Sequence, residues 1–152
     1  MNGLDSLLNN FISALQNVAA SPNAFAAQSN AVNSAQLLAQ QLNSLSNNIQ
    51  SMRGAAEQSV AADVQAANNA LQQIAAINQQ VSTANSNDLT TTALLDQRDK
   101  YIDQLNSLMD IKVVPGQFNQ VSIFTGSGIQ LIGSTAVTLS FNAQKTLTPG
   151  SL

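Results

Sequence analysis

Cysteine, histidine and tryptophan are all absent from this chain of 152 residues, and only 9% of its residues are charged. Without cysteine the chain can form no disulfide and offers no thiolate to a metal ion. Without histidine it lacks the commonest general base and metal ligand. A basic patch is lacking as well, because the chain has only five Lys and Arg residues and a net charge of −3. This charge balance argues against a nucleic-acid partner, which requires clustered cations.

Long apolar runs are also lacking. No stretch approaches the ~20 residues that a membrane-spanning helix needs, so we expect no membrane insertion. No basic segment followed by an apolar stretch indicates a secretory signal. The lack of a signal is compatible with a cytoplasmic protein, with export that needs no cleaved signal, or with a piece of a longer chain.

Small and amide side chains make up much of what is present. The sequence has 22 Ala, 36 Asn and Gln residues together, and six aromatic residues. Residues 6–52 carry no charge at all. Small apolar side chains suit the close packing of slender helices better than a thick globular core.

Apolar residues at heptad spacing predict three helices, at about 2–20, 22–85 and 91–110, that form a helical rod over residues 1–110. In the long middle helix the repeat shifts once, beside Gly54, so a break there is the main alternative to one continuous helix. The seam of this helix is formed by Ala35, Leu38, Leu42, Leu45, Ile49, Met52, Ala56, Val60, Val64, Ala67, Leu71, Ile74 and Val81.

After residue 110 the apolar period changes from helical to extended. Segments 111–114, 121–124, 129–132 and 136–141 are rich in β-branched residues and separated by turn residues, which predicts an antiparallel meander. We expect residues 111–145 to be a β-rich and incomplete part, and residues 146–152 to be a loop or linker. The predicted fold class is mainly α with a β-rich C-terminal part: an elongated antiparallel helical rod or coiled coil plus a small antiparallel β meander.

Folding the two shorter helices back on the long one leaves its middle uncovered. No helix of this chain is predicted to cover Leu45, Ile49 and Met52, and a bare apolar stripe of this kind favours association. We expect the β-rich part, another segment of a longer polypeptide, or a neighbouring subunit to lie there. The pattern is typical of an elongated protein made for assembly.

Arg98 lies on the apolar face of the third predicted helix. The neighbouring charges Asp96, Lys100 and Asp103 point the other way on a helical wheel. A guanidinium on an apolar face needs a partner. Counting back from the turn at residues 86–88 puts Asn78 opposite it, so an amide or a backbone carbonyl there could accept from it. One alternative is a partner outside this chain. The other is that the long Arg98 side chain extends to the edge of the apolar face and its charged group is solvated.

Catalytic and metal-binding alternatives are weak. Asp96, Asp99 and Asp103 alternate with cations and indicate a solvated face rather than acid–base or metal chemistry. The segment at residues 125–128 (TGSG) joins two strands, so it is interpreted as a hairpin turn rather than an anion cradle. We predict no enzyme, no catalytic, cofactor-binding or metal residue, no cofactor and no small-molecule substrate.

Several segments in combination resemble the flagellar hook-associated protein 1 (FlgK) family. They are residues 87–88 (ND), 111–114 (IKVV), 121–132 (VSIFTGSGIQLI), 2–16 and 20–22, together with the structural motif Leu94, Leu95, Asp96, Gln97, Arg98 and Asp99. The chain departs from the family pattern in having residues 89–93 between ND and LLDQRD, and in lacking the family's terminal polymerisation segments. The resemblance implies an internal piece that contains the helical rod and the start of the β-rich part.

What the resemblance implies is a structural axial protein of the bacterial flagellum at the hook–filament junction, required for flagellum assembly and motility. Such a protein is secreted by the flagellar type III export apparatus without a cleaved signal and is extracellular. Its implied partners are the hook protein, the second junction protein and its own copies. The alternative is a secreted coiled-coil interaction module, such as an effector or a phage-tail-like subunit.

Overall fold

A computed structural model of the chain describes residues 3–83 and 89–143, and these residues form two compact units, residues 3–56 and 57–143. The three predicted helices are present as α1 (Leu4–Ala20), α2 (Phe25–Thr83) and α3 (Leu89–Leu108). Three strands follow, β1 (Ile111–Pro115), β2 (Val121–Thr125) and β3 (Gln130–Ile132). The predicted fold class, mainly α with a small antiparallel sheet, is confirmed.

Helix α2 runs through Gly54 without interruption over its 59 residues, so the predicted alternative of a break there is wrong. Its many Ala, Leu and Gln residues have high helix propensity, and it contains no proline. The predicted turn at residues 86–88 and the tail at residues 146–152 lie outside the described residues. Within the described ranges, no helix is long and apolar enough to cross a membrane.

In the first unit, α1 lies beside the beginning of α2. Side chains of both helices line a shallow polar pocket, and Ala14 of α1 and Ala31 and Ser34 of α2 are buried. Ser34 satisfies its hydroxyl within its own helix by donating to the carbonyl oxygens of Asn30 and Ala31. The buried positions of this helix pair are thus occupied by small residues.

The middle of α2 exposes an apolar stripe. Leu42, Leu45, Ile49 and Met52 retain 47%, 42%, 49% and 72% of their accessible surface. Among the residues that the structure describes, these exposures agree with the predicted lack of a covering helix over this part of the seam. Burying one such side chain is worth about 1.5–3 kcal/mol, so the stripe favours association with another surface.

The second unit holds the main core. Helix α2 contributes four buried apolar residues, α3 contributes Leu105, and the inward faces of β2 and β3 complete the cluster. The strands pair in the order β1–β2–β3, both pairs antiparallel, with Val113 opposite Ile123 and Ile123 opposite Ile132. The core cluster is Ala67, Ala70, Leu71, Ile74, Leu105, Val121, Ile123, Leu131 and Ile132.

The fourth predicted strand, residues 136–141, is wrong. Beyond β3 only an isolated antiparallel bridge between Ile132 and Ala136 continues the ladder. The physical reason lies in α2: the side-chain amide of Asn68 accepts from the backbone N–H of Leu139 (2.8 Å) and donates to its carbonyl oxygen (2.9 Å). Because Leu139 bonds to a helix side chain, both of its backbone polar groups are satisfied without a strand partner.

Candidate functional site

Arg98 lies on the buried face of α3, as the helical wheel predicts. It is 9% exposed, and Leu105 on the same face is fully buried. Leu94 and Leu95 are half-buried, whereas the rest of the predicted motif and its neighbouring charges are exposed: Asp96, Gln97, Asp99, Lys100 and Asp103. The LLDQRD segment therefore places one guanidinium inside and its carboxylates in water.

The hydrogen-bond partner of Arg98 is not Asn78, so that prediction is wrong. Arg98 Nη1 donates to the backbone carbonyl oxygen of Asn119 at 2.5 Å, and Nη2 lies 3.7 Å from Oδ1 of Asp99. The Asp99 side chain is 67% exposed, which makes this ion pair weak. Arg98 Nε has no hydrogen-bond partner within the described structure. The main contact thus ties α3 to the connection between β1 and β2.

Asn78 has a different role, because its amide holds β2 directly. Its Nδ2 donates to the carbonyl oxygen of Val121 (2.7 Å), and its Oδ1 accepts from the N–H of Val121 (3.1 Å). Gln120 Nε2 adds a bond to the Asn78 carbonyl at 3.3 Å. Asn78 is 3% exposed and Val121 is 8% exposed, so water does not compete strongly for these groups.

A side-chain amide that binds both backbone groups of one residue occurs at two positions on α2. Asn68 binds both backbone groups of Leu139 in the way that Asn78 binds both groups of Val121. We call these two residues the asparagine clamps. Sequence reasoning did not identify Asn68, because it lies next to the apolar seam of α2 and not in it. An amide within the seam requires a buried partner, but that signal falls on Asn78, between Ile74 and Val81.

The β1–β2 turn has an unusual backbone. Phe118 (φ 54°) and Asn119 (φ 60°) both adopt the left-handed conformation, and the N–H of Gln120 donates to the carbonyl oxygen of Gln117 (3.1 Å). Positive φ at both central positions is the pattern of a type I′ turn, which normally uses Asn or Gly. The predicted turn at residues 115–119 is present, but a phenylalanine occupies one of its left-handed positions rather than Gly116.

These contacts position backbone and do not assemble a reactive site. The predicted outer carboxylates of α3 are exposed, and among residues 3–83 and 89–143 no group of three or more acidic, His or Cys side chains could hold a metal ion. The TGSG segment is a hairpin turn between β2 and β3, with Thr125 Oγ1 accepting from the N–H of Ile129 at 3.0 Å.

Replacement of Arg98 by leucine is expected to lower the free energy of unfolding by about 1–2 kcal/mol, because it removes a charge-assisted hydrogen bond to Asn119. The matched control is Lys100→Leu, an exposed cation on the opposite face of α3, expected to change stability by less than about 0.5 kcal/mol. Urea denaturation followed by circular dichroism measures both. Equal effects, or a gain for Arg98→Leu, would show that the arginine does not anchor the turn.

The family model described as the flagellar hook-associated protein FlgK helical domain matches residues 1–151. The chain is 31% identical over 112 residues to flagellar hook-associated protein 1 of Bacillus subtilis (strain 168), a match that covers 74% of this chain and 22% of that protein.

A solved structure of a FlgK protein is also similar to this chain. The flagellar hook junction protein FlgK from Burkholderia pseudomallei matches with a TM-score of 0.80 and 28% identity, over 88% of this chain and 24% of that one. In both comparisons the match spans less than a quarter of the relative's length.

Proposed function

The chain belongs to the FlgK helical-domain family, and on that premise we propose that it contributes a structural domain to the junction between the bacterial flagellar hook and filament. The observation that carries the proposal is the family match over residues 1–151. In the observed fold, side-chain clamps on a long helix hold a small sheet and the segment that follows it, which suits a load-bearing part.

The domain division that fits this role is a helical rod over residues 1–110, a β-rich part over residues 111–145 and a connecting segment over residues 146–152. In this proposal the LLDQRD motif fixes the end of the rod to the β-rich part. The contact between Arg98 and the carbonyl of Asn119 supports this role for the motif.

The proposed partners are the hook protein, the second junction protein and further copies of this chain. The exposed stripe of Leu42, Leu45, Ile49 and Met52 supports assembly, because a protein that worked alone would gain nothing from leaving it bare. The proposed location is the extracellular flagellum, reached by type III export. The role requires no catalysis, no cofactor and no small-molecule substrate.

Deletion of the gene that encodes this chain tests the proposal. We expect electron microscopy to show hooks without filaments, and we expect the cells to lose motility. Filament protein should be released into the medium, because filament subunits could not attach to the hook. Supplying the gene on a plasmid should restore filaments. Intact hooks that carry normal filaments in the deletion strain would contradict the junction role and favour the secreted interaction module instead.

A further inference from the structure

The hairpin that begins beyond β3 stops after one bridge. Ile132 pairs with Ala136, and the N–H of Val137 donates to the carbonyl oxygen of Leu131 at 2.9 Å. Within the described range, no later residue continues this ladder. Residues 136–143 therefore leave the sheet, and we call them the strap.

The sheet offers Leu139 of the strap no free partner. If the register of the bridge continued, Leu139 would lie opposite Ile129. The backbone of Ile129 is already bonded to Thr125: its carbonyl oxygen accepts from the Thr125 N–H (2.8 Å), and its N–H donates to Thr125 Oγ1 (3.0 Å). The Asn68 clamp on α2 therefore supplies the bonds of both Leu139 backbone groups.

One side chain anchors the strap to the rest of the unit. From residue 137 to the end of the described range at residue 143, every side chain except that of Leu139 is exposed. Leu139 packs against the core cluster and forms one wall of an apolar pocket of about 260 Å³. The remaining lining residues are Val60, Asp63, Val64, Ala67, Leu108 and Met109.

The two asparagine clamps differ in their access to water. Asn78 and Val121 are 3% and 8% exposed, whereas the bonds between Asn68 and Leu139 are only part-buried. Water can therefore take the place of the Asn68 bonds when they break. Holding the strap also costs conformational entropy for each residue that is fixed. A segment with few buried contacts and water-accessible hydrogen bonds is of the kind that opens locally in a folded protein.

We propose that the strap opens and closes as one unit, about the turn at residues 133–135, while the helices and the sheet of the second unit stay folded. Opening breaks the Asn68 clamp and the Val137 bond together and removes the Leu139 wall from the pocket. The apolar side chains of the pocket then face water. The closed strap is thus a cover that limits the apolar surface of this unit, and Asn68 is its latch.

Native-state hydrogen exchange of the 152-residue chain, followed by NMR at urea concentrations below the unfolding transition, tests the proposal. Corrected for intrinsic rates, the Val137 and Leu139 amides should exchange equally fast and at least ~10-fold faster than the Val121 amide. Their rates should be nearly independent of urea, because opening the strap exposes little surface. The Val121 rate should rise steeply with urea, because its release requires global unfolding.

Two variants test whether the strap moves as one unit. Asn68→Leu removes the latch but leaves the Val137 bond to Leu131 intact, and it should speed exchange at Val137 by ~5–30-fold. Leu139→Ala keeps the backbone bonds of the clamp but removes the anchoring side chain, and it should speed exchange at Val137 as well. The matched control is Asn69→Leu, the neighbouring asparagine with an exposed side chain, which should change that rate by less than about twofold.

A steep urea dependence at Val137 and Leu139, like that of Val121, would overturn the proposal, because the strap would then open only when the whole unit unfolds. An unchanged Val137 rate in Asn68→Leu or in Leu139→Ala would overturn it too, because the latch and the hairpin bond would then open independently. The gene deletion described above is a separate test, since the strap can open whether or not the chain serves at the junction.

Discussion

Replacing Asn78 by leucine is expected to lower the free energy of unfolding by about 2–6 kcal/mol. Leucine has a similar size and fits an apolar helix seam, so the substitution leaves no cavity. The expected loss of stability comes instead from the backbone groups of Val121. The N–H and carbonyl of Val121 would both lose their partner in a site where Val121 is 8% exposed and Asn78 is 3% exposed. Each buried polar group left without a partner costs about 1–3 kcal/mol.

Asn68→Leu is the matched control for this prediction. It removes the same pair of bonds from Leu139, but this clamp is only partly buried, so water can replace part of what is lost. We expect a smaller effect, about 1–2 kcal/mol. Urea denaturation of both variants, with equal m-values to show that the unfolded states are comparable, gives the difference. A loss below 1 kcal/mol for Asn78→Leu would contradict a holding role for this clamp.

A comparable loss is expected for Leu71→Ala. Leu71 is fully buried in the core cluster between α2, α3 and the sheet, and truncation of such a leucine costs about 2–5 kcal/mol through lost burial and a residual cavity. The fluorescence of Tyr101, which packs against this cluster, together with circular dichroism, follows the unfolding.

Leu45→Ala provides the contrast, because Leu45 lies on the same helix at 42% exposure. We expect it to change the stability of the isolated chain by less than about 0.5 kcal/mol. The expected difference reflects the distribution of the core, which surrounds Leu71 and leaves the middle of α2 bare. Equal losses for the two variants would show that the middle of α2 is covered in solution.

The helices were predictable because their signals are long and repeated. Heptad spacing over tens of residues predicted α2, and the helical wheel of α3 separated Arg98 from Asp96 and Asp103 correctly. Turn residues and β-branched runs predicted β1, β2 and β3. Each of these signals depends on neighbours in sequence, which is why it can be interpreted before the fold is known.

Partners across the fold were not predictable in this way. Counting residues back from a turn suggested Asn78 for Arg98, but the strands bring the carbonyl of Asn119 to the guanidinium and give Val121 to Asn78. The pattern of residues 136–141 indicated a strand, whereas the Asn68 clamp takes the backbone of Leu139. In both cases a helix side chain binds a backbone group that lies far away in the sequence. Such a contact depends on the tertiary structure and leaves no local pattern in the sequence.

The left-handed conformation of Phe118 could not be predicted from the sequence for a related reason. Gly116 next to Pro115 is the stronger turn signal in sequence, and phenylalanine has no preference for positive φ. The conformation is imposed by the register of β1 against β2, with Pro115 opposite Val121, and by the bond from Arg98 to Asn119. Neither the strand register nor this hydrogen bond can be recognised from the residues next to Phe118.

The location of the chain in the living cell is the most direct test of the central claim, that it is a structural part of the hook–filament junction. These 152 residues contain no cysteine, so Lys100→Cys, on the exposed face of α3, adds one thiol to this part of the protein for a maleimide dye. Cells without the substitution give the background labelling. On intact flagella we predict one fluorescent spot at the cell-proximal end of each filament. Fluorescence along the whole filament, or on cells but never at a filament base, would contradict the account.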